Sequence, residues 1–365
     1  MKILDWYIVK KYLSTFFFAI FLFAIISVVI DVGEKTDDFV KSGWTFRQIV
    51  MDYYIAFVPH IVALLFPLFV FIAVIFFTSK MAGRVEIIAI LASGTSFSRF
   101  LRPFFVTSLI LAGALYYMNS YIIPVADIKV AYFVDVYVHG NSSYNKLVAN
   151  NNKPPLYYRI DSFTYAGFRN FDTTSKSGGP FYMYRIKHDS MDYNLRANTI
   201  RWDTAKKKWK LEGIFERHIN GLKETVKLTP ERLMNFTFRL SDLVTDEYAQ
   251  NKMTTPQLKR HVEMERQRGG EDINTFEIEL YRRQATPISV VVLTMIGAII
   301  GSKKVRGGSG AHLAIGFVAA AIFILMDRFS TIFSTKGNFP PIIAAWLPNM
   351  VFSLVAIYLY RKSPK

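Results

Sequence analysis

Cysteine is absent from this chain of 365 residues. Disulfides and thiolate metal sites are therefore excluded, although no compartment follows, since an oxidising space permits disulfides without requiring them. The six histidines are His60, His139, His188, His218, His261 and His312. They are scattered singly, so no metal site is indicated, and His60 beside Pro59 reads as a polar contact at a helix end. No G-x-x-x-x-G-K-[ST] loop occurs, and "GEKT" at Gly33 to Thr36 has neither its spacing nor its sidedness. The chain has no ATP engine of its own. No nucleophile and base constellation points to catalysis, and no cofactor motif is present.

What is present is apolar surface and positive charge together. Hydrophobic residues make up 52% of the chain, with 32 Phe and 20 Tyr, and the formal charge is +16. A nucleic-acid binder explains the charge but not several apolar runs of about 20 residues, the length that crosses a bilayer core as a helix. Six such runs occur: Tyr12 to Ile30, Tyr54 to Phe77, Pro103 to Ile123, Thr286 to Ile300, Ala311 to Phe333 and Ile342 to Tyr360. The first lacks a small-x-small cleavage site and reads as an uncleaved helix. The second carries Pro59 and Pro67, tolerated where neighbours satisfy the freed carbonyls. The Phe-rich faces "FFFAIFLF" and "FPLFVFIAVIFF" read mostly as lipid contact.

Basic residues set the orientation. With the N-terminus in the cytoplasm, the inner segments hold Lys2, Lys10, Lys11, Lys80, Arg84, Arg99, Arg102, Lys303, Lys304, Arg306, Arg361, Lys362 and Lys365, against Asp5 and Glu86. The loop from Asp31 to Asp52 has more acids than bases, which completes a positive-inside pattern. Both termini are expected inside, and the stretch between crossings three and four outside. Topology accounts for most of the charge.

That stretch reads as strands. "LYYRIDSF", "FYMYRIKH", "NLRANTIRWD" and "KWKLEGIFERHI" alternate with period two between the turn signals "SGGP" and "DTAKKK", and Trp202 and Trp209 flank a hairpin. A sandwich or jelly roll is the expected form. Next, Thr255 can cap a helix with Pro256 in its first turn and Gly269 at its end. A second start at Asn274, with Glu277 as capping-box partner, leads into the fourth crossing with a kink near Pro287. The expected fold is an α+β membrane protein of six (3+3) transmembrane helices with a periplasmic β domain inserted between the third and fourth. Its parts are 1–123, 124–270 and 271–365.

Between crossings two and three lies "RVEIIAILASGTSFSRFLRP", a short helix over about residues 84–93, ended by Gly94. A helix of about ten residues is marginal alone. It can lie on the lipid surface with Arg84, Arg99 and Arg102 near headgroups. The carboxylate Glu86 favours the other reading, an arginine on a partner protein. Two places carry charge where a lipid head would sit. Asp327 and Arg328 fall within the fifth run, where charges usually face a cavity or a partner. Each either pairs with a neighbouring helix, or Arg328 binds a lipid phosphate. Lys35 and Lys41 follow the first run and either meet phosphate or form a solvated loop with Glu34, Asp37 and Asp38.

Three stretches, "RVEIIAILASGTSFSRFLRP", "ELYRRQATPISVVVL" and "AAWLPNMVF", together with the 3 + insert + 3 layout, resemble the LptF/LptG permease family along essentially the whole chain. The resemblance implies a non-catalytic transmembrane subunit of an ABC transporter that extracts lipopolysaccharide from the bacterial inner membrane. It implies that Glu86 is an acidic residue docking in a groove of an LptB-like ATPase dimer, supported by Arg84, Ile87, Ile90, Leu91 and Gly94. It also implies that helices one and five border a lateral gate and that Lys35, and less closely Lys41, meets lipid phosphates at the outer end of helix one. The implied partners are a second LptF/LptG-type permease or a copy of this chain, LptC/LptA-like periplasmic bridge components and lipopolysaccharide. Two other readings stay open from the residues alone: a lipoprotein-releasing or efflux permease, whose insert would follow the first helix instead, and a membrane enzyme modifying an envelope lipid.

Overall fold

The computed structural model describes residues 3–138, 156–172, 175–187, 190–221, 223–236, 249–268, 273–303 and 309–363. Lys2, His139, His188, Gly269, Lys304, Arg306 and Lys365 lie outside them. Contacts divide the chain into a helical unit (Met1–Val138, Gln250–Lys259 and Asn274–Lys365) and a second unit (His139–Ala249 and Arg260–Ile273) that carries a β-sheet.

The helices are α1 (Ile3–Ser42), α2 (Phe46–Gly83), α3 (Glu86–Ala92), α4 (Phe97–Phe133), α5 (Thr255–Arg268), α6 (Ile273–Gly301), α7 (Ser309–Gly337) and α8 (Pro341–Arg361). Among the described residues six, namely α1, α2, α4, α6, α7 and α8, are long and apolar enough to cross a membrane, each containing one expected run. The chain is a multi-pass membrane protein of α+β class.

Helix α1 does not end at Ile30. It continues to Ser42, because Asp31, Lys35 and Phe39 recur every four residues on one face and all three find partners. Lys35 Nζ lies 2.7 Å from Asp31 Oδ1, and Phe39 is buried against Tyr53, Tyr54 and Phe133. Lys35 and Lys41 are therefore helical residues, not loop residues. Helix α2 starts with a full capping box at Thr45 and Gln48, then widens into a π-type turn at Ile49–Tyr54.

Close packing joins the helices, since lipid supplies no hydrophobic drive between them. Ile8, Tyr12, Phe16, Phe66, Val70, Phe100 and Phe104 share one core among α1, α2 and α4, and the Tyr12 hydroxyl meets Thr294 Oγ1 on α6 at 3.0 Å. Gly297 and Gly301 let α6 approach α2: a Cβ at Gly297 would stand 3.1 Å from the Phe71 ring, and one at Gly301 3.0 Å from Thr78. Proline inside α8 removes an N–H. The carbonyl of Ala344, four residues before Pro348, instead accepts from Ser330 Oγ at 2.6 Å.

Two helix starts differ from expectation. The α5 cap is Thr254, whose backbone and hydroxyl both donate to Gln257 Oε1 at 2.9 Å. Thr255 is helical and its hydroxyl accepts from Arg283. Asn274 lies inside α6, not at a cap, and donates to the Ser334 carbonyl at 3.3 Å. The helix passes through Pro287.

The sheet unit holds β1 (Leu156–Arg159), β2 (Thr164–Asp172), β3 (Ser177–Lys187), β4 (Ser190–Asp203), β5 (Lys208–Asn220) and β6 (Lys223–Met234), antiparallel and in consecutive order. "SGGP" is not a turn; it opens β3, and a Cβ on Gly179 would collide with the Asn198 carbonyl. "DTAKKK" does turn, with Asp203 Oδ1 accepting from the Ala205 and Lys206 amides. Trp202 faces Trp209 across that hairpin.

A sandwich needs two sheets, whereas the described strands form one, and a crease explains how one suffices. In β4 the buried positions are Leu195 and Ala197, then Ile200; in β5 they are Trp209 and Leu211, then Ile214 and Glu216. The inward parity changes at Asn198 and Gly213, which are packed against each other, with Gly213 at φ +66°. Strict period-two pairing would send one half of each strand outward. With the change, Phe181, Ala197 and Ile214 share a core with Ile200, Leu211 and Trp209.

One carboxylate is buried at the edge of this core. Glu216 accepts from Tyr193 at 2.8 Å and from both Arg232 terminal nitrogens. The Arg232 guanidinium holds its pKa below the ordinary value of 4.5. A depressed carboxylate stabilises the fold above its unfolded pKa, and that contribution is lost as pH falls through the folded value. Glu216→Gln should therefore speed amide hydrogen exchange in β5 and β6 at neutral pH, by the equivalent of roughly 1–2 kcal/mol. The difference from the unsubstituted protein should vanish in acid.

Candidate functional site

Three polar clusters stand in the helical unit. The first surrounds α3. Helix α2 stops at Gly83, and Val85 adopts φ +63°, a left-handed conformation that strains a β-branched residue. Gly94, at φ +84°, ends the helix without that cost. Seven residues are thus set off as a separate helix with Glu86 at its first position, where a carboxylate favours the positive end of the dipole.

Ile87 is 2% exposed and belongs to the core shared with α1 and α4, and Ile90 and Leu91 pack against the same core. They hold the helix from within. The outward face is Arg84, Val85, Ile88, Ala89 and Ala92, with Ile88 48% exposed. Ile88 and Val85 were not singled out from sequence; both faces of "EIIAILA" are apolar, so periodicity does not separate inside from outside. Glu86 accepts a hydrogen bond from the Tyr7 hydroxyl at 3.1 Å, and Arg84 Nη1 stands 3.9 Å from its other oxygen. Past Gly94, Arg99 donates to Asp5 at 2.7 Å, and Asp5 is 4% exposed.

The second cluster is a clasp between α1 and α2. Asp31 takes Lys35 Nζ on Oδ1, the Tyr53 hydroxyl at 3.2 Å on the same oxygen and the Tyr54 hydroxyl at 3.2 Å on Oδ2. The wide turn at Ile49–Tyr54 carries the two consecutive tyrosines whose hydroxyls reach one carboxylate. Lys35 also bonds the Tyr53 hydroxyl and lies over the Tyr53 and Phe57 rings. It is therefore neutralised from within the chain. Lys41 is exposed in the last turn of α1 and has no ion-pair partner among the described residues.

The third cluster lines a cavity of about 120 Å³ bounded by α2, α6, α7 and α8. Asp327 pairs with Arg282 on α6 at 3.1 Å. Arg328, next in sequence, lines the same cavity, is exposed and has no ion-pair partner among the described residues. Asn349, 4% exposed, donates to the Ala285 carbonyl at 2.7 Å, while its Oδ1 and Arg282 Nε lack hydrogen-bond partners among the described residues. Two of the three stretches that carry the family resemblance meet here, Arg282 to Ser289 against Ala345 to Asn349; the third forms α3. Arg283, 4% exposed, clamps Glu279 and the carbonyls of Met253 and Gln250. His60 meets Asp127 at 2.6 Å, and His312 meets Ser79 at 2.9 Å.

A family model described as "Lipopolysaccharide export system permease LptF/LptG" matches residues 6–362. Among curated proteins, no sequence matches the chain.

Cutting one partner of the Arg282–Asp327 pair leaves a charge at membrane depth. Arg282→Ala should lower stability by about 2 kcal/mol, and the double change Arg282→Met with Asp327→Leu should recover most of that. Thermal unfolding in detergent checks both; equal losses in the single and double variants would mean that the charge left on Asp327 costs nothing.

Proposed function

The chain belongs to the LptF/LptG family of lipopolysaccharide export system permeases, and from that membership we propose that it is the membrane subunit through which a separate ATPase drives lipid extraction. The positive-inside pattern supports an inner-membrane topology with both termini and α3 in the cytoplasm and the β unit in the periplasm. Helix α3 docks on an ABC-type ATPase dimer. A second permease, similar to this chain or identical to it, completes a cavity between the two subunits. Lipopolysaccharide enters beside α1 and α7, its phosphates meeting basic residues and its chains apolar walls. The β unit receives the lipid and hands it to periplasmic bridge components.

The observation that carries this reading is α3 itself. Its inward isoleucine is committed to the chain's own core, so the outward surface of Arg84, Val85 and Ile88, with Glu86 at its edge, is small, exposed and shaped for a groove. Of the three candidates Lys35, Lys41 and Arg328, the last two are immediately available. Lys35 is available to a phosphate only when Asp31 gives it up. An enzymatic role for Asp327 fits poorly, because Arg282 already engages that carboxylate.

Glu86→Ala or Glu86→Lys should leave membrane insertion intact and abolish both co-purification of the ATPase and ATP-driven lipid release. Removing one partner of a desolvated charge pair costs roughly 2–5 kcal/mol. Undiminished transport in either variant would defeat the docking role. A photoreactive residue in place of Arg328 should form lipopolysaccharide adducts that disappear when ATP and the ATPase are supplied, and adducts indifferent to ATP would remove Arg328 from the path.

A further inference from the structure

We propose that Tyr7 is the positioning residue for Glu86, and that through it helix α1 ties the docking carboxylate to the lipid-facing end of the molecule. The inference rests on the docking role of Glu86 and adds the element that carries the load.

A seven-residue helix cannot hold its own first side chain still. The isolated helix is marginal, and its carboxylate, with a side chain 29% exposed, has room to change rotamer. Tyr7 removes that freedom. Its hydroxyl donates to Oε2 at 3.1 Å, while among the described residues Oε1 has only Arg84 Nη1 at 3.9 Å, beyond hydrogen-bond length. One oxygen is fixed from within the chain, and the other is left for an incoming cation. The Tyr7 ring is 37% exposed, so the hydroxyl stands at the edge of the docking surface and not under it.

A second contact shows that α1, not only the flanking helices, grips this segment. Asp5, two residues before Tyr7 at the start of α1, binds Arg99 at 2.7 Å. Glu86 precedes the body of α3 and Arg99 follows it, so the first turns of α1 hold both ends of the 86–99 segment although more than seventy residues separate them in sequence. Helix α1 then runs without a break to Ser42. Tyr7 and Lys35 are 28 positions apart, about 42 Å along a helix rising 1.5 Å per residue. At the far end the same helix carries the Asp31–Lys35 clasp on Tyr53 and Tyr54. A pull on Glu86 thus reaches α1 directly.

Tyr7→Phe tests this in the full complex with its ATPase, since it deletes one hydroxyl and keeps the ring. Affinity for the ATPase subunit should fall by about 3- to 10-fold, the equivalent of one net hydrogen bond, and lipid released per ATP hydrolysed should fall with it. In a Glu86→Ala background the same change should have no further effect, because nothing remains to be positioned. Equal losses in both backgrounds would mean a merely structural tyrosine and would overturn the inference. So would an unaltered affinity in Tyr7→Phe when Glu86→Ala alone weakens docking. If Glu86→Ala itself leaves docking unchanged, the docking reading and this inference fall together.

Discussion

A charge placed in a membrane span has to find a partner, and in this protein the partner is repeatedly on another helix. The cost of an unpaired ion in hydrocarbon, several kcal/mol by any scale, makes each such pair a constraint on how two helices fit. Asp31 and Lys35 on α1 are completed by Tyr53 and Tyr54 on α2. Asp327 on α7 is completed by Arg282 on α6, and His60 on α2 by Asp127 on α4. Arg283 draws the carbonyls of Gln250 and Met253 onto α6. Apolar packing alone distinguishes these arrangements poorly, since lipid tails solvate a phenylalanine as well as another helix does. The polar pairs set the register, and the glycines at 297 and 301 set the closeness.

The β unit meets a different constraint. A single sheet in water has one face to hide and no second sheet to hide it against. The parity change at Asn198 and Gly213 lets one meander supply both walls of its own core, so residues from both sides of the crease meet around Trp209 and Phe181. Exposed apolar residues remain on β6, where Leu228 is 75% exposed.

The six spans were legible in the sequence because a helix of about 20 successive apolar residues matches the thickness of a bilayer core, a length that soluble packing rarely demands. Four of the strand segments were legible through alternation and the Trp202–Trp209 hairpin. Two of the failures share one cause, which is dependence on a distant residue. Lys35 reads as a loop cation until Tyr53 and Tyr54 are seen to hold Asp31. "SGGP" reads as a turn until Asn198 is seen to occupy the space that a Cβ at Gly179 would need. Thr255 reads as the cap until Gln257 is seen to take the backbone and hydroxyl of Thr254. At the candidate site, the separate helix and its acid were visible. Its inward and outward faces were not, because isoleucines occupy both. Tyr7 lay outside any local pattern that could have pointed to Glu86.

The exposure of Arg328 follows from the pairing of its neighbour. Successive residues on a helix point about 100° apart, so once Asp327 faces Arg282 the guanidinium of Arg328 cannot share that carboxylate. Turning α7 by one position would bring Arg328 against Arg282 and leave Asp327 without its cation, replacing an attraction by a repulsion in a region where neither is screened by water. Charge thus adds to the close approach of Gly316 to Ile75 and the Phe323–Phe352 contact in fixing the rotation of α7. Among the described residues, this orientation keeps one cation without an ion-pair partner at the rim of a cavity whose Asn349 Oδ1 and Arg282 Nε also lack hydrogen-bond partners.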